Sequence, residues 1–407
     1  YRRFVHVART ACKGPNEKLL SMYGLATFRS HEALRSLFVV PAGSGWRELI
    51  LFMHRNLAAF DLQDADTVLG LLKDWAQGLG ASDPLPVEAR AVAQICLKYW
   101  ELLTAPDLYA DRLDQEFLRL LFRIPHAAPI EVAVLIRSAI ENKLVREYHS
   151  RTVLEHVTKS IECQPLCEHL PALVIEVAET TWRANPDDYS SDQLSLDFDE
   201  DFGFEHSVHF NYFPESALQG PFMFLLTHHP DAAVDFIIRL ANQAALSYSQ
   251  YRLGYEVCDI QLPTATGSRP LMASPRLWAL YRSMMPGPPI LECALMSLET
   301  WLLGQAKQGN DIRKTFRKIL DTSLSAATIA VLASVAVAYP SEAADEVLPI
   351  LGVQEFYQWD FQRSHQEDFH QTDFRASLGI LIGGLDENYH QERKDSKAIP
   401  HGMSNLE

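Results

Sequence analysis

The chain has 407 residues, of which 47% are hydrophobic and 22% are charged; this balance is typical of globular proteins and excludes a chain that is disordered throughout. A chain of this length is expected to fold as two or three subdomains or as one extended repeat array. The formal net charge of −16 gives a surface that on average repels phosphate backbones, so nonspecific nucleic-acid binding is disfavoured. Six cysteines in a chain this long are typical of reduced thiols and predict a cytoplasmic protein.

Helical periodicity dominates residues 1–186, and we interpret this part as an N-terminal helical array. Four helices are expected within residues 1–80, and a loop at 81–86 follows them. Further along, apolar residues recur at the spacing of a helix with one buried face; they are Val132, Leu135, Ile136, Ala139 and Ile140. Short links and almost no strand-like alternation predict an all-α fold, either an α-solenoid or an irregular helical-repeat array.

The composition changes after residue 186. Residues 187–205 hold eight acidic residues and no basic one, so we predict that residues 187–213 are a linker or mobile loop between two domains. A second helical array is predicted over residues 214–352, and an aromatic, polar segment with a charged tail over residues 353–407. Within this last segment one short helix is expected, at residues 374–382.

The second array contains the one convincing strand pattern of the chain. Residues 255–262 alternate in part between apolar and polar side chains, and Gly267-Ser268 can form a turn. These signals predict a small β-hairpin insertion near residues 255–273.

The longest apolar run covers residues 324–338. It is shorter than the roughly 20 residues that a membrane-spanning helix needs, and it contains Ser325, Thr328 and Ser334. We therefore predict a buried core helix here and no association with a membrane.

Two segments, THHPDAAVDFII at 227–238 and AYPSEAADEVLPI at 338–350, resemble each other. Each has a ring residue before Pro, then an acidic residue and an apolar run. Pro in the first turn and a carboxylate near the helix N-terminus both favour a helix start. We interpret the pair as two uses of one helix-start sequence, with divergent repeats as the alternative.

No metal-binding pattern in the sequence is complete. Cys163, Cys167 and His169 form C-x3-C-x-H, but no second pair of donors lies nearby to complete a tetrahedral zinc site. The alternation of Asp197, Asp199 and Asp201 resembles a calcium loop, but the glycine, Gly203, comes one place late and Val208 stands where a bidentate Glu is needed. Buried thiols and an acidic loop are the favoured interpretations, and no metal is predicted.

The sequence indicates neither a catalytic residue nor a bound cofactor. It lacks the GxxxxGK[ST] phosphate-binding loop. None of its three histidine pairs lies in an HExxH motif; the pairs are His206 with His209, His228 with His229, and His365 with His370. An enzyme whose site is assembled from dispersed His and acidic residues remains the alternative.

Two clusters that contain basic residues are candidate binding surfaces. One predicted helix face carries four basic residues, Arg313, Lys314, Arg317 and Lys318. We interpret this face as solvated, with phosphate contact as the alternative.

A second predicted helix carries Arg276, Trp278, Tyr281 and Arg282. Arg and large aromatics are common anchors of interfaces, so these four residues are the predicted partner-binding site, and a packing role is the competing interpretation.

The second half of the chain resembles a known family. The succession GPFMFLLTHHPDAAVDFIIRLANQA, RLWALYRSMMPGPPILECALMSLETWLL, SLSAATIAVLASVAVAYP and the terminal IPHGMSNLE resembles a helical region of very large bacterial ATP-binding proteins, the STAND-type NTPases of antiviral defence. The resemblance covers residues 214–407 and lies in packing patterns rather than catalytic motifs. In that family a P-loop ATPase drives assembly, an effector domain performs the chemistry and a helical-repeat region senses a viral protein.

Because the chain lacks the P-loop, the resemblance implies the sensor or scaffold part, without ATPase activity. The resulting hypothesis is a non-catalytic helical scaffold that recognises a protein, either a viral protein or another domain of the same polypeptide. The rivals are a hydrolase or metal-dependent enzyme and an oligomerisation module. The sequence begins without Met and ends in a polar segment, so we also expect it to be a piece of a longer polypeptide.

Overall fold

The structure is a computed structural model that describes most of the chain between residues 44 and 369. The described residues are 44–77, 79, 84–105, 112–141, 148–159, 163–184, 198–205, 212, 215–250, 256–264, 267–283 and 285–369. They form a helical array with one two-stranded antiparallel sheet, which confirms the predicted all-α fold with a small β-hairpin. The helices expected before residue 44 and at 374–382 lie outside the described residues.

The chain divides into two compact units, Tyr1–Val157 and Thr158–Glu407. The acidic segment at 187–213 lies within the second of these units, and most of it is outside the described residues. Its role as a linker between domains stays a prediction.

Helices packed on helices build the first unit. They are Ser44–Arg55 (α1), Ala65–Gln77 (α2), Ala89–Leu103 (α3), Leu113–Arg123 (α4), Pro129–Glu141 (α5) and Tyr148–Thr158 (α6), with 3₁₀ turns at Leu57–Ala59, Leu62–Asp64 and Pro125–Ala127. α3 packs against α1 and α4, and α2 packs against α4. The rings of Tyr99 and Phe117 stack between α3 and α4 with centroids 4.8 Å apart. In α5, Val132, Ile136 and Ala139 are buried, which confirms the predicted apolar face.

In the second unit, the described residues form helices of four to 21 residues around the hairpin. They are Gln164–His169 (α7), Pro171–Thr181 (α8), Phe198–Asp201 (α9), Phe222–His228 (α10), Pro230–Gln250 (α11), Pro275–Ala279 (α12), Pro289–Lys307 (α13), Arg313–Thr322 (α14), Ala326–Ala338 (α15), Pro340–Ala343 (α16), Leu348–Leu351 (α17) and Gln354–Phe369 (α18). Two 3₁₀ turns, Leu280–Arg282 and Ala344–Val347, and the strands Cys258–Thr264 (β1) and Gly267–Ala273 (β2) complete it.

α15 is the central helix of the second unit. Every side chain from residue 326 to residue 336 is buried, and α11, α12, α13, α14, α16 and β2 all pack against it. Its many Ala residues let these neighbours approach closely, and a helix that is apolar on all sides belongs in a core. The hydroxyl of Ser325 caps its N-terminus by accepting a hydrogen bond from the Ala327 amide at 3.3 Å. The predicted core helix at 324–338 is thus confirmed.

The hairpin pairs Cys258 with Ala273 at its open end and Thr264 with Gly267 at its turn. Gly267 and Ser268 therefore belong to β2 and do not form the turn that the sequence indicated for them. β2 is attached to the helices by Arg269, whose Nη1 atom donates to the carbonyl of Asp321 at 3.0 Å and whose Nη2 atom donates to that of Leu320 at 2.5 Å. These carbonyls end α14, where a cation is favourable.

Several helix pairs meet at a corner made of one residue followed by Pro. His229 ends α10 by donating its amide to Leu225 O at 2.7 Å, and its carbonyl begins α11 by accepting from Ala233 N at 3.0 Å. Tyr339 does the same between α15 and α16, and the backbone angles agree: φ −139° and ψ 61° at His229, φ −136° and ψ 68° at Tyr339. These are the two segments whose sequences resemble each other, so the resemblance corresponds to one shared corner geometry.

α18 is a helix that the sequence analysis did not predict. Its buried face includes Phe356 and Trp359 but also Asp360 and Arg363. Because Asp360 and Arg363 are charged, the apolar periodicity that predicts a helix is interrupted.

Candidate functional site

All four predicted partner-binding residues belong to the second unit, and three of them are buried in its core. Trp278, Tyr281 and Arg282 are 0%, 1% and 3% exposed. The side chain of Arg276 is 11% exposed, and its Nη1 atom donates to Pro286 O at 3.0 Å. A partner cannot contact side chains that neighbouring helices enclose, so the partner-binding prediction is corrected for these residues: in this structure they have the competing role, packing.

The local sequence explains how these residues reach the core. Ser274 caps α12 by accepting a hydrogen bond from the Leu277 amide at 3.1 Å, and Pro275 occupies the first turn. After one turn the helix tightens into a 3₁₀ turn that ends at Ser283, whose φ of 52° is left-handed. The Ser283 hydroxyl donates to Glu292 Oε2 at 2.6 Å, which holds this unfavourable backbone conformation in place.

A buried ionic network extends from this turn to three other helices. The Nη2 atom of Arg282 donates to Glu299 Oε1 on α13 at 2.8 Å, and the Ser334 hydroxyl on α15 donates to the same carboxylate. On α18, the Nε atom of Arg363 donates to Asp360 Oδ1 at 2.9 Å. Buried charges are tolerated only when paired and hydrogen-bonded, and these pairs meet that condition.

Tyr281 joins the two ion pairs. The guanidinium carbons of Arg282 and Arg363 lie 5.1 Å and 5.6 Å from the centre of its ring, within the range of a cation–π contact. Burial raises the pKa of the Tyr281 hydroxyl, although the two nearby guanidinium groups oppose the shift. The indole of Trp278 donates to Asp360 Oδ1 at 3.3 Å. The network therefore fixes α12, α13, α15 and α18 relative to one another within the second unit.

The sequence analysis missed the acidic half of this network. Glu292 and Glu299 stand seven positions apart on α13, which places them on one side of a helix whose other residues are mostly apolar. The sequence signal that could have identified them is the presence of two isolated carboxylates, at helical spacing, inside an apolar run. Asp360 and Arg363 gave no such signal, because α18 is polar along much of its length.

The cysteine and aspartate patterns lead to core positions. Cys163 and Cys167 are buried with sulfur atoms 3.8 Å apart, while His169 is exposed. Asp199 and Asp201, on α9, are buried at 1% and 4% exposure. Across the described residues, no group of three His, Cys, Asp or Glu side chains is placed to hold a metal ion. The remaining members of these patterns, Asp197 and Val208, lie outside the described residues.

The histidine pairs are not brought together by the described structure. His229 forms the α10–α11 corner, where its Nε2 atom lies 2.7 Å from Glu168 O. His365 packs edge-on against the Phe361 ring at 4.9 Å. His206, His209 and His370 are outside the described residues.

The basic face of α14 is used in ion pairs with neighbouring segments. Arg313 lies 2.8 Å from Asp311 and holds the pKa of that carboxyl at about 2. Lys314 lies 3.4 Å from Asp231 and Lys318 lies 2.8 Å from Asp235, both on α11, and Arg317 pairs with Glu346. The solvated interpretation of this face agrees with these contacts.

A carboxylate–imidazole pair lies in the first unit, in which the carboxylate is buried and the imidazole is partly exposed. Asp114 is 1% exposed, and its Oδ2 atom lies 3.4 Å from the Nδ1 atom of His149, which is packed against Trp100 with ring centroids 6.0 Å apart. A carboxylate that orients an imidazole is also the arrangement of a general base and its orienting acid. This pair is the one feature of the described residues that favours the enzyme alternative.

Exposed apolar side chains on α5 form the clearest docking feature of the first unit. Ile130 and Val134 are one helical turn apart and are 75% and 64% exposed, on the side opposite the buried Val132, Ile136 and Ala139. Large apolar side chains in contact with water at adjacent positions are typical of interaction surfaces. We call Ile130 and Val134 the α5 face.

A search of the described helices finds none that is both long and apolar enough to cross a membrane. Neither a scan against protein-family models nor a search of curated proteins returns a match for the chain.

Proposed function

We propose that this chain is a non-catalytic helical scaffold for protein recognition, and that it serves as the target-sensing region of a larger bacterial defence NTPase. It works in the cytoplasm with its cysteines reduced, and its partner is a protein, either viral or from the same polypeptide. The support for the sensor assignment is the resemblance of residues 214–407 to the helical region of such proteins.

The α5 face is the single observation that carries the recognition function. Leaving Ile130 and Val134 in water is unfavourable, since each buried apolar side chain contributes about 1.5–3 kcal/mol. Their burial under a partner recovers this free energy. Interfaces concentrate affinity in a few such central apolar anchors, and α5 presents two of them from a rigid helix.

The ionic network supports a scaffold role for the second unit. Its charged groups contact one another inside the core and hold four helices in fixed positions. A recognition surface benefits from such rigidity, because little conformational entropy is then lost when the partner binds.

The test is a binding experiment with a matched control. The tagged full chain is incubated with lysate of phage-infected bacteria, and each captured protein is purified and titrated against the chain. We expect one of them to bind directly, and the Ile130→Glu, Val134→Glu double variant to weaken that binding by at least about thirtyfold. The control Leu348→Glu replaces a side chain that is 58% exposed in the second unit and is expected to leave binding unchanged.

Two outcomes would overturn the proposal in favour of its rivals. Hydrolytic turnover that disappears in His149→Ala would establish an enzyme that uses the Asp114–His149 pair. A stable homo-oligomer, seen by mass-resolved chromatography and dissociated by the α5 double variant, would establish an oligomerisation module. The sensor assignment has its own test: the natural gene product must carry a phosphate-binding loop upstream of this chain, and its absence would remove that assignment.

A further inference from the structure

The two edges of the hairpin differ in what covers them. The outer edge of β2 is attached to the α14–α15 connection, where the Met272 amide donates to Leu324 O at 2.8 Å. The outer edge of β1 carries Asp259, Gln261 and Pro263, all of which are exposed. A sheet edge presents unpaired backbone groups that a further strand can pair with.

The register shows which groups of β1 point outward. Because Met272 N donates away from β1, the Asp259–Met272 pair is not hydrogen-bonded across the hairpin. Such pairs alternate along an antiparallel ladder, so Gln261–Pro270 and Pro263–Ser268 are of the same kind. Both prolines lack an N–H and fit these positions without loss of a ladder bond.

The N–H and C=O groups of Asp259 and Gln261 therefore face away from β2. They have no hydrogen-bond partner among the residues that the structure describes. Pro263 lies beside Gly352 at the end of α17 and cannot donate. Because α17 packs against β1, the part of the edge left for a further strand is short and centred on Asp259 and Gln261, whose side chains are exposed.

The surroundings of this edge are acidic. Burial raises the pKa of the Cys258 thiol, and the nearby carboxylates of Glu355 and Asp259 raise it further. In the described part of the chain neither carboxylate forms an ion pair. Two arginines of this region already have partners, because Arg276 pairs with Glu256 at 3.6 Å and Arg269 binds the carbonyls of α14. A second copy of this chain would bring the same negative charges to the edge, so it is a poor occupant.

We propose that the outer edge of β1, at Asp259 and Gln261, binds an extended segment of a partner protein by strand addition, and that this segment alternates basic and apolar residues. The basic side chains lie on the solvent side of the sheet, next to Asp259. The apolar side chains lie on the core side, next to Ile260 and Leu262, which are 7% and 0% exposed. Main-chain hydrogen bonds supply affinity in such complexes, and alternate side chains supply specificity.

The proposal adds a site and a partner chemistry to the scaffold function, on which it rests, and it does not involve the α5 face. The probes are two blocked synthetic peptides, KVKVKVK and EVEVEVE, titrated separately into the full chain. We expect the basic peptide to bind and the acidic one not to. Upon binding, hydrogen exchange at the amides of Asp259 and Gln261 slows, because these groups become paired.

One substitution separates backbone pairing from simple charge attraction. Gln261→Pro removes the outward N–H without breaking a bond to β2, as Pro263 and Pro270 already show for equivalent positions. It is expected to weaken the basic peptide about tenfold. The matched control Gln261→Ala keeps the N–H and loses the same side chain, including its 3.2 Å contact with Ser268 Oγ, and is expected to leave affinity unchanged. Unaltered exchange protection of α15 amides verifies that each variant is folded.

Equal affinities for the two Gln261 variants, or binding without slower exchange at Asp259 and Gln261, would overturn the proposal. So would a homodimer that forms through this edge and is lost in Gln261→Pro, because the occupant would then be a second copy. A failure of peptide binding while the α5 face still captures its partner removes only this inference. Catalytic turnover, in contrast, removes the scaffold function itself.

Discussion

At the scale of single residues, the buried ion pairs of the second unit are the most demanding feature. A guanidinium or a carboxylate taken out of water costs several kcal/mol, and only a well-oriented partner recovers that cost. Arg282 and Glu299 are 3% and 1% exposed and lie 2.8 Å apart. Each therefore supplies the opposite charge that makes the burial of the other tolerable.

The first prediction follows from this dependence. Glu299→Leu leaves the Arg282 charge buried without its main partner and is expected to lower the free energy of unfolding of the second unit by about 3–5 kcal/mol. The double variant Arg282→Met, Glu299→Leu removes both charges and is expected to be more stable than the single variant. Hydrogen exchange of α15 amides in increasing urea measures both. A double variant that is less stable than the single one would contradict the prediction.

The second prediction concerns Cys258, which is an exposed free thiol. Burial and the carboxylates of Glu355 and Asp259 raise its pKa, so the reactive thiolate is scarcer at a given pH than for an ordinary cysteine. Glu355→Gln removes one negative charge, lowers the pKa and is expected to speed alkylation by iodoacetamide a few-fold at about pH 8. Mass spectrometry of the peptide that contains Cys258 gives the rate. The control Glu48→Gln, in the first unit, is expected to have no effect.

At the scale of secondary-structure elements, the corner before Pro recurs. Leu170, before Pro171, ends α7 by donating to Leu166 O at 2.7 Å and begins α8 by accepting from Val174 N at 3.2 Å. With His229 and Tyr339 it makes a third example. One residue thus ends one helix and begins the next, so the angle between the helices depends on that residue and the following Pro.

The third prediction tests whether such a corner, which has no loop between its two helices, fixes the angle between them. Inserting one glycine between Tyr339 and Pro340 adds a conformationally free residue to the corner, so the angle between α15 and α16 is no longer fixed, α16 loses its packing, and we expect a large fall in the melting temperature. Pro340→Ala keeps the geometry and is expected to cost only about 0.4–1 kcal/mol. The control insertion after Gly309, an exposed residue with φ 76° in the α13–α14 turn, is expected to be tolerated. Similar losses for both insertions would show that the corner has no special rigidity.

At the scale of the whole molecule, the chain consists of two compact units, the second covering Thr158–Glu407. The buried network, α15 and the hairpin all belong to the second unit. Its core residues contact one another through elements of that unit, so the physical basis for independent folding is present.

The fourth prediction is that residues 158–407 fold when expressed alone. The amides of α15 are expected to show the same exchange protection as in the full chain, because the helices around α15 are all retained. Circular dichroism and hydrogen exchange provide the measurement. An aggregated product, or loss of protection in α15, would show that the second unit needs the first.

How much the sequence predicted depends on whether neighbours along the chain or distant segments decide the structure. The buried face of α5 follows from local periodicity and the core position of α15 from a continuous apolar run, and both are confirmed. The network was not predicted as a site, because Arg282, Glu299 and Asp360 come together only through tertiary packing. Trp278 and Tyr281 were recognised as special residues, yet sequence alone does not distinguish an anchor on a surface from one in a core. The α5 face was missed because Ile130 and Val134 read as ordinary helix residues.

The corners before Pro have a further consequence, for the order in which the second unit folds. Contacts across a corner join residues that are close in sequence, so they form with little loss of loop-closure entropy. The attachment of Met272 to Leu324 closes a much longer loop and is entropically slower to form. We therefore expect the pairs α7–α8, α10–α11 and α15–α16 to be structured in the folding transition state, and the hairpin to dock onto α15 after it.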